Sequence, residues 1–151
     1  PGDIAAETCD TQYMLGGSLL VAPVFHADGH ADFYLPAGRW TGLLDGKVTE
    51  GGRWMRDTYD FHSLPLMVRE NTVLPMGACE TRADYDYAQN VTLHVYEPAD
   101  GTLEATVPDT KGNVAARYTL TVRGDEIKVK TDAREPYSVV LHRNGKAVTI
   151  A

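Results

Sequence analysis

Polar and apolar residues alternate with a period of two along much of the chain. Val91, Leu93 and Val95 alternate with Thr92, His94 and Tyr96, and Tyr118, Leu120 and Val122 alternate with Thr119 and Thr121. Ile127 and Val129 alternate with Lys128 and Lys130, and Tyr137, Val139 and Leu141 alternate with Ser138, Val140 and His142. Successive side chains of a strand point to opposite faces, so each run predicts a strand with one buried face. Turn chemistry separates the runs. Gly124-Asp125 and Asn144-Gly145 have the form of two-residue hairpin loops, and Asp45-Gly46 and Asp100-Gly101 are further turn signals. Short strands punctuated this evenly predict an all-β chain of two small antiparallel β-sandwich domains in tandem.

The first half is less regular. Ser18 to Phe25 is almost wholly apolar and predicts a strand buried on both faces, with Pro23 marking a bulge or an edge. Ile4 to Leu15 is the one stretch that reads as a helix, and it reads equally as a lead-in segment. Both tryptophans and all three phenylalanines precede Arg82, and Thr-, Val- and Lys-containing strands follow it. This shift places a boundary between Met76 and Tyr87, with Gly77 to Asp84 as a polar linker. The division predicted is a lead-in over 1–17, one domain over 18–82 and a second over 83–151.

A chain of 151 residues can bury a core. Its formal net charge is −7, and its Lys and Arg residues form no basic run, which argues against a nucleic-acid partner. The longest apolar run, Leu19 to Phe25, is far short of a membrane span, so no membrane partner is expected. Two cysteines, Cys9 and Cys79, are too few for a disulfide framework and suggest free thiols in a reducing, cytoplasmic setting. The chain opens Pro1-Gly2-Asp3, with neither an initiator Met nor a signal peptide, and reads as a fragment of a larger protein.

Candidate chemistry is sparse. His26 and His30 stand four residues apart, a spacing that suits a metal on a helix, but Ala27-Asp28-Gly29 between them reads as a turn. Only Asp28 or Asp32 could add a third ligand, so the two are read as loop histidines and no metal or other cofactor is assigned. His62, His94 and His142 stand alone. Asp57 with Asp60, or Asp84 with Asp86, could be imagined as a carboxylate pair, but both lie in polar stretches with nothing to raise a general acid's pKa. They read as surface acids, and no catalytic residue is assigned. Nucleophile-elbow, dinucleotide and phosphate-loop motifs are absent from the sequence. Trp40, Trp54, Tyr59 and Phe61 cluster in the first half and are read as packing residues. Tyr85, Tyr87 and Tyr96 are the candidates for stacking on a sugar ring.

Three elements then carry a resemblance. Gln12 to Phe25, reading Gln-Tyr-Met-Leu-Gly-Gly-Ser-Leu-Leu-Val-Ala-Pro-Val-Phe, resembles the stretch that leaves the catalytic barrel in family 31 glycoside hydrolases. Tyr34-Leu35-Pro36-Ala37-Gly38-Arg39-Trp40 resembles that family's Tyr-Leu-Pro-x-Gly-x-Trp element, and Leu64 to Pro75 its Leu-Pro, Arg, apolar-Pro segment. The wording is most similar to the bacterial α-xylosidase branch, and beyond Asp86 only strand character matches. The resemblance implies the proximal and distal β-sandwiches that follow a (β/α)8 barrel. It implies a parent enzyme that hydrolyses terminal α-linked xylose or glucose with retention, using two Asp residues of the barrel. The family's Asp-Phe-Gly-Glu nucleophile stretch is missing; Asp60-Phe61-His62 lacks the glycine and the acid. Pro23, Pro36, Trp40, Arg69 and Pro75 match motif positions that look structural. The chain is therefore expected to be inactive alone and to brace its own barrel. The alternatives are a carbohydrate-binding module acting on the α-linked oligosaccharide, or an assembly domain of a homo-oligomer.

Overall fold

The computed structural model describes residues 3–150. It divides into two compact units, Pro1–Glu70 and Asn71–Ala151. In the first, a one-turn helix α1 (Ile4–Glu7) is capped by Asp3, whose Oδ1 accepts from the Ala6 amide at 3.4 Å. Seven strands follow: β1 (Tyr13–Leu15), β2 (Leu19–Val21), β3 (His30–Leu35), β4 (Arg39–Gly42), β5 (Val48–Glu50), β6 (Arg53–Thr58) and β7 (Leu66–Arg69). They form a five-stranded sheet in the order β1-β2-β7-β4-β5 and a β3–β6 ribbon. Leu20, Ala22, Trp40 and Met67 of the sheet side meet Ala31, Phe33 and Leu35 of the ribbon in one core.

Two expectations change here. The helix stops at Glu7, and Tyr13–Leu15 pairs with Leu19–Val21 as a hairpin. The run from Ser18 to Phe25 yields only a three-residue strand. Ala22 gives its amide to the Pro65 carbonyl at 3.1 Å, and Pro23 has no amide to continue the ladder.

The motif residues have physical jobs. The Gln12 side chain donates to the Tyr34 carbonyl at 2.8 Å and accepts from the Tyr34 amide at 2.6 Å, so it acts as a short extra strand on β3. Trp40 is fully buried, and its indole N–H donates to the Pro36 carbonyl at 2.8 Å across a turn in which Gly38 takes φ +117°. The Arg69 guanidinium lies 5.1 Å from the centre of the Trp40 ring. Glu70 accepts from the Arg39 amide at 3.0 Å and returns its own amide to the Arg39 carbonyl at 2.9 Å.

The second unit holds β8 (Thr72–Met76), β9 (Val91–Tyr96), β10 (Gly101–Pro108), β11 (Val114–Arg123), β12 (Glu126–Thr131), β13 (Tyr137–Arg143) and β14 (Lys146–Thr149). A three-stranded sheet, β10-β11-β12, faces a four-stranded one, β14-β13-β9-β8. The alternating residues Val91, Leu93, Val95, Tyr118, Leu120 and Val139 fill the space between them. The Asn144-Gly145 hairpin has φ +51° and +73°, the left-handed pair that a type I′ turn requires. β9 and β13 run parallel, so this sheet is mixed although every other ladder of both units is antiparallel. The boundary expected at 82/83 differs from the observed split at 70/71, because Thr72–Met76 pairs with β9 and belongs to the second unit's sheet.

Candidate functional site

A groove of about 690 Å³ lies in the first unit between the β2–β3 and β6–β7 connections. Pro23, Val24, Tyr59, Phe61 and Leu64 supply its apolar lining, and His26 and Asp28 stand on it. The turn into β3 fixes one wall. The Gly29 amide donates to the His26 carbonyl at 3.0 Å, and the Tyr59 amide donates to the Gly29 carbonyl at 2.9 Å. Gly29 has φ +82°, and a Cβ there would lie 2.3 Å from the Tyr59 carbonyl oxygen, so only glycine fits. Burial, with Asp57 and Asp45 adding to it, pushes the Tyr59 phenol up to about 12. Ile4, Tyr13, Met14, Leu15, Phe25, Leu44, Trp54 and Phe61 are all exposed large apolar residues of this one unit, and Phe61 is fully exposed.

The carboxylates are turn and edge residues. Asp60 accepts from the Ser63 hydroxyl at 2.7 Å and from the His62 amide at 2.9 Å, and these bonds hold its carboxyl below the usual range. That is opposite to what a general acid needs. Asp57 bonds the Thr58 amide at 2.9 Å, and Asp86 accepts from the Ala88 amide at 3.1 Å; Asp84 is exposed. Asp32 holds Arg56 through two bonds of 2.5 and 2.6 Å.

The three candidate tyrosines do not form one platform. Tyr85 and Tyr87 meet edge to face, 5.0 Å between centres, beside a hollow of about 250 Å³ that also touches Pro75, Gly77 and Val91. The Tyr85 hydroxyl sits against Gly77, where a Cβ would lie 1.7 Å from it. Tyr96 is 2% exposed and stacks on His142 with centres 4.2 Å apart, so it has no free face for a sugar. Of the aromatics read as packing residues, Trp40 is core, whereas Trp54 and Phe61 face outward.

One grouping was not legible in the sequence, and another was raised there and set aside. His94 and His142, each read as standing alone, lie 2.8 Å apart, Nδ1 to Nε2, because the parallel β9–β13 register sets them diagonally. Burial lowers both pKa values, and the neighbouring His94 lowers that of His142 further. A parallel pairing 48 residues apart leaves no local signal. His26, Asp28 and His30 also converge, with the two imidazole rings stacked 3.7 Å apart. Both cysteines are free thiols. No helix of the described residues is long and apolar enough to cross a membrane.

Two packed β units bearing sugar-enzyme motifs, without a catalytic carboxylate pair among the described residues, define an accessory β region. The comparisons give the family. Residues 1–74 match the model described as the glycosyl hydrolase family 31 C-terminal domain, and residues 86–151 match "Alpha-xylosidase YicI, C-terminal domain". The chain belongs to the C-terminal β domains of glycoside hydrolase family 31. The α-xylosidase XylQ of Lactiplantibacillus pentosus is 35% identical over 93% of this chain, which spans 19% of that protein. An α-xylosidase of Emericella nidulans is 34% identical over 89% of the chain and is spanned to 18%. The family 31 dextranase of Flavobacterium johnsoniae shares the fold, with TM-score 0.72 at 19% identity over 89% of this chain and 19% of its own. The chain thus spans about a fifth of the length of these two α-xylosidases.

Proposed function

We propose that this chain is the non-catalytic C-terminal region of a retaining α-glycosidase of the α-xylosidase type. The parent would release terminal α-linked xylose or glucose from oligosaccharides, as a step of carbohydrate metabolism. In this reading Pro1–Glu70 serves as the proximal sandwich and Asn71–Ala151 as the distal one, and the first unit braces the parent's (β/α)8 barrel. The observation that carries it is the uneven distribution of exposed large apolar residues: eight fall in Pro1–Glu70, against Val114, Val148 and Ile150 in the other unit. An excess of exposed large apolar side chains in one unit is what a covering partner would bury. The relatives' remaining four-fifths supply a body large enough to cover it. The free thiols of Cys9 and Cys79 support a reducing, cytoplasmic compartment.

Introducing Leu15→Ser and Phe61→Ser together into the full-length enzyme tests the brace. We expect a lower melting temperature and reduced turnover, while the isolated chain gains solubility. A parent enzyme unchanged in both would refute it. A second reading keeps the distal domain as a carbohydrate-binding module through Tyr85 and Tyr87, supported by the hollow beside them. Titration with xylo-oligosaccharides followed by NMR decides it: shifts at these two rings support the reading, and none at millimolar sugar ends it. An assembly role would rest on open edges such as β14, whose four residues are all exposed. Sedimentation of the parent with and without residues 71–151 tests that.

A further inference from the structure

We propose that His26, Asp28 and His30 form a binding site for a divalent first-row transition ion such as Zn²⁺ or Ni²⁺, on the turn that leads into β3. One donor atom from each residue lies within 4.8 Å of the other two. Two imidazoles and one carboxylate are a donor set that such ions favour, and the positions left over would be filled by water.

One edge of a coordination shell is already in place. The His30 Nδ1 and Asp28 Oδ1 atoms are 2.7 Å apart. Ligand bonds of about 2.0–2.2 Å at roughly right angles set neighbouring donors about 3 Å apart. A small opening of this pair therefore admits an ion in place of the shared proton. The His26 ring stacks on the His30 ring within 23° and 3.7 Å from it, so its donor is at hand and a turn of the exposed His26 side chain would aim it at the same ion.

The turn is pinned rather than free. Its Gly29–His26 and Tyr59–Gly29 backbone bonds, and the lack of room for a side chain at Gly29, hold the three donors on one side of a closed loop. Ordering the donors before the ion arrives reduces the entropic cost of binding. The surrounding charge also favours a cation. Arg56, the nearby base on the paired strand β6, is taken up by Asp32 through two hydrogen bonds, which leaves Asp28 facing the histidines. Asp32 is for the same reason not a ligand here. The site stands on the rim of the apolar groove, so a bound ion would tie the β2–β3 connection to β3 at the groove's edge.

Isothermal titration of ZnCl₂ and of NiCl₂ into the 151-residue chain provides the test. We expect one equivalent bound in the micromolar range. His26→Ala and His30→Ala should each weaken it at least about tenfold, Asp28→Asn should weaken it measurably, and His62→Ala should leave it unchanged. Histidine ring resonances of the unaltered chain give a second readout that needs no variant to fold. Sub-stoichiometric Zn²⁺ should move the His26 and His30 cross-peaks and leave those of His62 in place. No saturable binding up to millimolar ion, an isotherm that survives His26→Ala with His30→Ala, or His62 signals that move as far as those of His26 and His30 would each overturn the proposal.

Discussion

Replacing Trp40 by Ala should be the most damaging single change in the first unit, and its cost can be worked from the structure. The ring is fully buried among Leu20, Phe33, Leu35 and Met67. An aromatic of this size withdraws about 150–250 Å² from water, worth roughly 4–6 kcal/mol at ~25 cal/mol per Å² as an upper figure. Measured Trp-to-Ala changes in cores fall at about 3–5 kcal/mol. The change also strips the Pro36 carbonyl of its indole donor and removes the ring under Arg69. A unit of 70 residues holds a total stability of only about 3.5–10 kcal/mol. Trp40→Ala should therefore leave the unit near or below its folding threshold. Trp40→Phe keeps much of the buried area and loses chiefly the hydrogen bond, so it should cost about 1–3 kcal/mol. Urea denaturation with native-state hydrogen exchange of the β2, β4 and β7 amides measures both. A loss under about 1 kcal/mol for Trp40→Ala would refute the claim that this ring organises the core.

Gly51→Ala places a Cβ 1.9 Å from the Pro36 carbonyl oxygen and 3.0 Å from the Trp40 indole nitrogen, so it should lower the urea midpoint by the equivalent of about 1–3 kcal/mol. The Tyr118 hydroxyl is buried without a protein partner among the described residues; Tyr118→Phe should be neutral or stabilise the second unit by up to ~1 kcal/mol in a thermal melt. His94 and His142 have folded pKa values below the ordinary 6.5, so the unfolded chain takes up protons first as pH falls. Stability should be full above that pH and decline below it, and His94→Gln with His142→Gln should flatten the slope between pH 7 and 5 in pH-dependent melts.

The sequence made the second unit's strands legible because their buried face alternates strictly, as Val91, Leu93 and Val95 show, and because Asn-Gly and Gly-Asp specify their hairpins. It did not reveal that β9 and β13 run parallel. β10 to β12 intervene in the chain and form the opposite sheet, and alternation carries no information on strand direction. The His94–His142 pair was hidden for that reason. In the first unit, strands of three or four residues are too short for a period to register, and side chains complete the ladders: Gln12 on β3 and Glu70 on Arg39. The motif words survived where the period failed, because Pro36, Gly38 and Trp40 form a single hydrogen-bonded turn. Tyr96 misled because a residue opposite the core face of its strand can still be covered, here with His142 stacked on it.

The most direct test of the account is hydrolysis of a chromogenic α-xyloside, and of the matching α-glucoside, by the purified chain at high concentration beside the full-length enzyme. The account predicts no turnover above buffer from the chain and retaining hydrolysis by the enzyme. Turnover by the chain that persists through purification and disappears on replacing Asp57, Asp60, Asp84 or Asp86 would contradict it.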